Sequence, residues 1–238
     1  MIVAANEERD LPACLASVRA LRCPILLVDG GSRDGTRDIA RKAGARVLER
    51  PFDDFARQRR YALEQASTPW ILQLDADERV SPGLAREIAR VLGENLPHNA
   101  YRIPFQVSFM GRRMRFSGLG TQKVLRLFRK DAVELRGDRS VHEAYRVRTS
   151  PIGVLRHPIF HHPYADLAEY AAKCGLYTDL AARDFVANGG RLSWRHDWIP
   201  AWEFFQRFIL RLGFLDGFPG LLWAVLSAYH SKVRYGKI

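Results

Sequence analysis

Short apolar runs alternate with helically spaced apolar positions through the first third of this chain. The apolar runs, which predict buried strands, cover residues 1–5, 25–28, 45–48 and 70–74. Leucine, valine and alanine recur at three- and four-residue spacing between them, which predicts amphipathic helices over residues 11–21, 34–43 and 56–66. Strands that alternate with helices in this way are typical of a parallel sheet covered by helices. We therefore predict an α/β fold with a doubly wound, mostly parallel sheet.

Acidic and amide side chains stand directly after three of the predicted strands. Asn6 and Glu7 follow the first strand, Asp29 follows the second, and Asp75 and Asp77 follow the fourth. The carboxyl ends of the strands form the ligand-binding edge of an open α/β sheet, so we expect these side chains to converge on one crevice. Two carboxylates one residue apart suit Mg²⁺ or Mn²⁺, which takes further ligands from water and substrate phosphates. Helix capping is the simpler interpretation of an isolated Asp-x-Asp pattern.

A net charge of +11 indicates an anionic partner, which leaves nucleic acid, a phosphate-bearing substrate or an acidic membrane surface. Residues 100–149 carry 12 Lys/Arg against 4 Asp/Glu. No helix-turn-helix, zinc or RNA-binding signature accompanies this charge, so nucleic acid is not favoured. Neither a dinucleotide fingerprint nor a P-loop motif is found. Arg126 and Arg129 are candidates for bidentate contacts to substrate phosphates, and a solvated basic face is the alternative.

The chain changes character after residue 190, which predicts a catalytic domain over residues 1–190 and an amphipathic helical segment over residues 191–238. The predicted apolar stripe of this segment consists of Trp202, Phe204, Phe205, Phe208, Ile209 and Leu212. A basic amphipathic helix rich in Trp and Phe fits a membrane interface, while a core helix or a contact in a homo-oligomer is the alternative. The longest uncharged run, residues 217–231, has 15 residues, fewer than the roughly 20 that span a bilayer.

Three motifs in a fixed order resemble the family 2 glycosyltransferases, which have a GT-A-type fold and use nucleotide sugars. They are Asn6-Glu7-Glu8, the segment 28–36 that begins Val28-Asp29-Gly30-Gly31-Ser32, and Leu74-Asp75-Ala76-Asp77-Glu78. The resemblance implies a nucleotide-sugar donor, in the first place a UDP-sugar, and Mn²⁺ or Mg²⁺ as cofactor. It implies that Glu7 and Asp29 bind ribose and base, that Asn6 belongs to the same substrate-binding site, and that Asp75 binds ribose or sugar. Asp77 would bind the metal that bridges the diphosphate.

The resemblance extends through the second half of the chain. Residues 124–129, 141–143, 161–177 and 213–217 are similar to a bacterial subgroup that includes small glucosyltransferases of the lipopolysaccharide inner core. It implies that Glu143 is the catalytic base, with Asp138 as the second candidate. A solvated Glu143 would be the simpler interpretation without the resemblance. Gln58 lies in a segment that resembles Gln-Arg-Asn-Tyr, with Arg60 in place of Asn, and is assigned to the phosphate side of the donor.

Two adjacent histidines follow the basic region. Imidazole binds Mn²⁺ acceptably, so His161, ahead of His162, is a candidate to complete the metal site of Asp77. A structural role for either histidine is the alternative. Three cysteines without a Cys-x-x-Cys pair predict reduced, packed thiols in a cytosolic compartment.

The sequence thus predicts an inverting, metal-dependent hexosyltransferase. It would transfer a hexose, glucose first, from a nucleotide sugar to a lipid-linked glycan such as the lipopolysaccharide inner core. We expect it on the cytoplasmic face of the inner membrane, peripherally bound. Polyprenyl phosphate or another cell-surface glycan stays open as the acceptor. A basic nucleic-acid-binding or membrane-binding module without catalysis is the alternative from another class.

Overall fold

The computed structural model describes residues 1–94, 97–135, 145–148 and 151–238, and all statements on structure below concern these residues. They form two compact units. The first unit contains the described residues within Met1–Phe105, Lys123–Asp138 and His142–His161. The second contains those within Gln106–Gln122 and His162–Ile238. The domain boundary expected at residue 190 stays a prediction.

Strands and helices alternate up to residue 72, two short strands and a helix follow up to residue 93, strands dominate from residue 100 to residue 161, and helices complete the chain. The strands are Ile2–Ala4 (β1), Leu26–Asp29 (β2), Arg46–Glu49 (β3), Trp70–Leu72 (β4), Leu74–Asp75 (β5), Glu78–Val80 (β6), Ala100–Phe109 (β7), Arg112–Arg113 (β8), Lys123–Arg129 (β9), Val133–Leu135 (β10), Tyr145–Val147 (β11), Ile152–Val154 (β12) and Ile159–His161 (β13). The helices are Leu11–Val18 (α1), Thr36–Lys42 (α2), Phe55–Gln65 (α3), Pro82–Gly93 (α4), Leu167–Ala187 (α5), Arg195–Phe205 (α6) and Phe218–Gly236 (α7).

A four-stranded parallel sheet forms the centre of the first unit. Its strand order is β3-β2-β1-β5, so β1 lies between β2 and β5. Val3 of β1 stands opposite Val28 on one side and opposite Asp75 on the other. All of β2 is buried, as expected for a parallel strand covered on both faces. The predicted α/β class is confirmed, and the carboxyl ends of β1, β2 and β5 lie side by side.

The apolar run 70–74 forms two strands in two sheets, so the prediction of one continuous strand is wrong. β4 pairs antiparallel with β9, and Ile71 stands opposite Phe128. β5 instead pairs parallel with β1. Gln73 lies between them, and its backbone N–H donates to the carbonyl of Arg126 at 2.8 Å. The chain therefore changes sheets at Gln73, which brings β9 beside the acidic end of β5.

The second sheet has seven strands in the order β4-β9-β7-β13-β6, with β8 and β12 also paired to β7. β9 is antiparallel to both β4 and β7, and β13 is antiparallel to β6. The sequence pattern did not predict this sheet, because basic residues interrupt its apolar positions. Its register matters for the site, since it places His161 directly opposite Glu78.

The second unit is mainly helical, with α7 packed against both α5 and α6. The Tyr170 hydroxyl of α5 donates to the carbonyl of Leu226 at 2.6 Å. Lys237, just after α7, donates to Thr178 of α5 at 2.8 Å. Among the helices that the structure describes, none is both long enough and apolar enough to span a membrane.

The apolar stripe predicted around α6 is divided between two faces. Trp202 and Phe205 are exposed, whereas Phe204 and Phe208 are partly buried and pack against each other with ring centroids 5.4 Å apart. The prediction of a single stripe is therefore corrected. Helical spacing alone did not show which of the aromatic residues pack inward.

The three cysteines are free thiols. Cys14 and Cys174 are buried, as expected for packed thiols, but Cys23 is exposed. The expectation of packing was therefore wrong for Cys23.

Candidate active site

The turn after β1 and the loop after β2 are joined by hydrogen bonds. The Asn6 side-chain oxygen accepts from the backbone N–H of Arg33 at 2.9 Å, and the Asn6 N–H donates to the Ser32 hydroxyl at 2.8 Å. The Glu7 N–H donates to the Thr36 hydroxyl at 2.8 Å. Asn6 has a φ of 57°, in the left-handed region that Asn tolerates better than most residues. Asn6 and Glu7 are thus held at the carboxyl edge of the parallel sheet.

Asp29, the last residue of β2, holds the loop after β2 by hydrogen bonds. Its carboxylate accepts from the N–H groups of Gly31 and Ser32 at 3.0 and 2.9 Å and from the Ser32 hydroxyl. Gly31 has a φ of 99°, a conformation that favours glycine. Because Asp29 has no exposed surface, its carboxylate holds the loop in shape. Its contact with ribose or base stays a prediction.

Asp75, at the end of β5, is held by two guanidinium groups. Arg59 from α3 donates to its two oxygens at 2.8 and 3.0 Å. Arg126 from β9 donates at 2.7 Å and also binds Glu78. Glu78 in turn accepts from the backbone N–H of Asp75 at 3.1 Å. Two carboxylates and two guanidinium groups therefore form one charge-balanced network next to the parallel edge.

The network moves the pKa values of its two carboxylates in opposite directions. Burial would raise the pKa of Asp75, but the charges of Arg126 and Arg59 outweigh it and hold this pKa well below its usual range. Burial raises the pKa of Glu78, and the single nearby guanidinium of Arg126 opposes this only in part. Asp75 therefore stays ionised. Since 30% of its side chain is exposed, a ligand can reach the carboxylate.

A buried amide supports the two arginines from the other side. With its oxygen turned toward them, the Gln73 side chain accepts from Arg126 Nη1 at 2.8 Å and from Arg59 Nε at 2.9 Å. Its nitrogen then bonds to the hydroxyl of Tyr145, whose pKa burial raises to about 12. Arg59, Gln73 and Tyr145 are not among the site residues predicted from the sequence. Only Arg59 carried a signal, as it stands inside the segment that drew attention to Gln58.

Replacing Tyr145 by Phe should lower the free energy of unfolding by about 1–2 kcal/mol. The change leaves the Gln73 amide nitrogen without its hydroxyl acceptor while preserving the aromatic packing, in which the centroid of the Tyr145 ring lies 4.6 Å from that of Phe128. Urea unfolding measures the difference. Tyr229→Phe is the control, since Tyr229 is 55% exposed and should change stability by less than about 0.5 kcal/mol. Equal stabilities for both variants would contradict the proposed bond.

Asp77, Glu78 and His161 form a candidate metal site, with one ligand atom of each within 4.8 Å of the others. His161 Nε2 lies 3.5 Å from Asp77 Oδ2. Both oxygens of Glu78 already accept hydrogen bonds, from Arg126 and from the Asp75 N–H. The side chains of Asp77 and His161 are 13% and 24% exposed. These two are therefore the better ligands, and a carboxylate with an imidazole fits Mn²⁺.

The pKa of His161 indicates that the electrostatic potential at its imidazole is negative. Burial would lower this pKa, but the hydrogen bond to Asp77 and the charges of Asp77 and Glu78 outweigh it and raise the pKa above its ordinary value. The field that draws a proton to the imidazole also favours a divalent cation at this position. The fit of the residues to a metal thus rests on both donor chemistry and charge.

Two predicted substrate-binding residues make their contacts elsewhere. Gln58 is buried and exchanges two hydrogen bonds with Arg50, at 2.8 and 3.1 Å. Arg129 stands opposite Trp70, at the end of β4 away from Gln73, and pairs with Asp131 at 2.9 Å. Their roles in substrate binding stay predictions.

The predicted base Glu143 and its alternative Asp138 lie outside the described residues. Their roles therefore rest on the sequence.

The fold is that of a GT-A glycosyltransferase. It is similar to the crystal structure of residues 1–349 of S. aureus TarS in complex with UDP-GlcNAc, with a TM-score of 0.51 and 16% identity. The alignment covers 98% of this chain and 81% of the TarS chain. Residues 1–148 match the model of glycosyl transferase family 2, and the chain belongs to this family.

Relatives in sequence extend over almost the whole chain. It is 28% identical over 242 residues to the lipopolysaccharide core biosynthesis glycosyltransferase LpsC of Rhizobium meliloti, covering 95% of this chain and 88% of LpsC. It is also 25% identical over 250 residues to an uncharacterized glycosyltransferase of Rickettsia typhi, covering 100% of this chain and 85% of the relative. The resemblance stated from the motifs is thereby confirmed.

Proposed function

We propose that this glycosyltransferase is a metal-dependent, inverting hexosyltransferase that uses a UDP-sugar and acts on a lipid-linked glycan. The observation that carries the proposal is the pair Asp77 and His161 next to the ionised carboxylate of Asp75. The similarity to LpsC supports the inner core of lipopolysaccharide as acceptor. TarS shares the fold and binds UDP-GlcNAc, which supports the donor class. Glucose is the first candidate for the hexose, and the cytoplasmic face of the inner membrane is the proposed location.

Different residues of the site bind the metal and the donor sugar. Asp77 and His161 would hold the divalent metal, which when bound supplies positive charge for the leaving diphosphate. Asp75 accepts hydrogen bonds from hydroxyl groups of the donor. Arg59 and Arg126 fix this carboxylate and keep it ionised, so we propose Arg126 as a positioning residue rather than a phosphate ligand.

Donor recognition and proton removal fall to two further groups of residues. Asn6, Glu7 and the loop shaped by Asp29 would receive the nucleoside, because they follow β1, which pairs with β5, and β2, which pairs with β1. Glu143 is assigned as the base that takes the proton of the acceptor hydroxyl. A single base without a covalent nucleophile would give one displacement and inversion at the anomeric carbon.

The function is tested with a panel of UDP-sugars, Mn²⁺ and extracted lipid-linked acceptors. We expect UDP release to be fastest with UDP-glucose and a lipopolysaccharide core acceptor, to stop on chelation and to return with Mn²⁺. NMR of the product should show the inverted anomeric configuration, and mass spectrometry of the lipid identifies the acceptor. Transfer that is unchanged in chelator would contradict metal dependence. Transfer to polyprenyl phosphate instead would replace the proposed acceptor.

A further inference from the structure

Large apolar side chains are exposed just before α6, along α6, at the first residue of α7 and on the segment that joins the two helices. Trp194 is 70% exposed, Trp198 68%, Trp202 53% and Phe218 68%. Soluble proteins rarely expose large side chains in such density unless the surface meets a partner or a membrane. We call this surface the aromatic face and define it by Trp194, Trp198, Trp202, Phe205, Leu215 and Phe218.

The spacing of these residues gives the aromatic face its direction. Trp198, Trp202 and Phe205 follow one another at intervals of four and three residues, so they lie on one side of α6, and Trp194 continues the spacing at the residue before the helix. The partly buried Phe208 packs on Phe204 and on Phe214, with ring centroids 5.4 and 6.2 Å apart. The exposed stripe is therefore a second apolar side of the helix, distinct from the one that packs within the unit.

Positive charge accompanies the aromatic face. Residues 191–238 carry seven Lys/Arg against three Asp/Glu. Arg191 and Arg195 are exposed beside Trp194, and the Arg195 guanidinium lies 5.7 Å from the Trp194 ring centroid. Trp side chains with neighbouring cations are typical of helices that lie in the interface of an anionic membrane. A symmetric dimer through this face would bring two copies of the same positively charged segment together, and their like net charge opposes such contact.

We propose that the aromatic face inserts into the interface of a membrane that contains anionic phospholipid. Trp and Phe enter at the depth of the headgroups, while Arg191 and Arg195 bind lipid phosphates. The inference is linked to the proposed function in one respect: an enzyme bound to the membrane at this face would encounter a lipid-linked acceptor there. Membrane binding itself requires no catalytic residue.

The test is co-sedimentation of the full chain with vesicles. We expect binding to vesicles of phosphatidylcholine with phosphatidylglycerol and weaker binding to phosphatidylcholine alone. Trp198→Glu with Trp202→Glu should reduce binding to both vesicles by at least about tenfold. Arg191→Gln with Arg195→Gln should remove only the preference for phosphatidylglycerol. Val154→Glu is the control, since Val154 is 51% exposed on a strand of the other unit and should bind as the unchanged protein does.

Light scattering and a soluble assay separate the other outcomes. A dimer that the paired Trp variant converts to monomer, without vesicle binding by either protein, would overturn the proposal in favour of a second copy as partner. Equal vesicle binding by the paired Trp variant and Val154→Glu would also overturn it. UDP release from UDP-glucose in the absence of vesicles should be unchanged in the paired Trp variant. If the proposed function is wrong, the unchanged protein will release no UDP in this assay. That result does not affect the conclusion from vesicle binding.

Discussion

Replacing Asp77 by Asn should reduce Mn²⁺-dependent UDP release by about 10²- to 10³-fold while the protein stays folded. The change removes the negative charge proposed to hold the metal and preserves the shape of the side chain. Asp77 stands just before β6, outside the strand, and 13% of its side chain is exposed, so an amide of the same size can replace the carboxylate without repacking. Circular dichroism and urea unfolding should therefore show little change.

The matched control for this variant is Asp131→Asn. Asp131 is 69% exposed and paired with Arg129 on the surface, so its replacement by Asn should leave the rate of transfer unchanged.

His161→Asn should raise the Mn²⁺ concentration for half-maximal rate by about 10- to 100-fold, and His162→Asn tests the second candidate in the same assay. An Asp77→Asn enzyme with the rate and metal requirement of the unchanged protein would refute the assignment of the metal site.

Replacing Arg126 by Ala should lower the free energy of unfolding by about 3–5 kcal/mol, the cost of leaving a buried charge without its partner. Arg126 is buried and pairs with Asp75 and with Glu78, which has no exposed surface. Removal of the guanidinium leaves Glu78 without this counter-charge and Asp75 with Arg59 alone. Urea unfolding at neutral pH measures the loss.

Arg129→Ala is the matched control three residues along the same strand. Arg129 also pairs with a carboxylate, but its side chain is 41% exposed and that of Asp131 69%, so the expected loss is below about 1 kcal/mol. Equal losses for the two variants would show that burial does not set the strength of the Arg126 pair. If Arg126 bound a donor phosphate instead, Arg126→Ala would raise the KM for UDP-glucose at nearly unchanged stability.

Much of the candidate site could be predicted because it depends on local patterns. Continuous apolar runs predict buried strands, and the residues that follow parallel strands must meet at one edge. Asn6, Asp29 and Asp75 accordingly lie at the ends of neighbouring strands. The pairing of Asp77 with His161 was proposed because imidazole binds Mn²⁺, and the register of β6 and β13, which sets His161 opposite Glu78, now gives the physical reason for it.

Other features of the site depend on residues that are distant in the chain, which a local sequence pattern does not identify. Eight arginines and lysines lie between residues 100 and 130, and composition does not tell which of them is buried. Arg126 is buried because the chain changes sheets at Gln73, which brings β9 beside Asp75. Arg59, sixteen residues earlier in the chain, reaches the same carboxylate from α3. The same limit applies to α6, where helical spacing could not separate the inward Phe204 from the exposed Phe205.

The sequence by itself thus determined the alternation of strands and helices, the acidic edge and the family, since each rests on residues close together in the chain. Tertiary structure alone decided which cations neutralise Asp75, which histidine stands opposite Glu78 and which aromatic residues stay exposed. The physical reason is that burial, pairing register and charge compensation are properties of long-range neighbours. A carboxylate in the sequence acquires its pKa and its role only when those neighbours are in place.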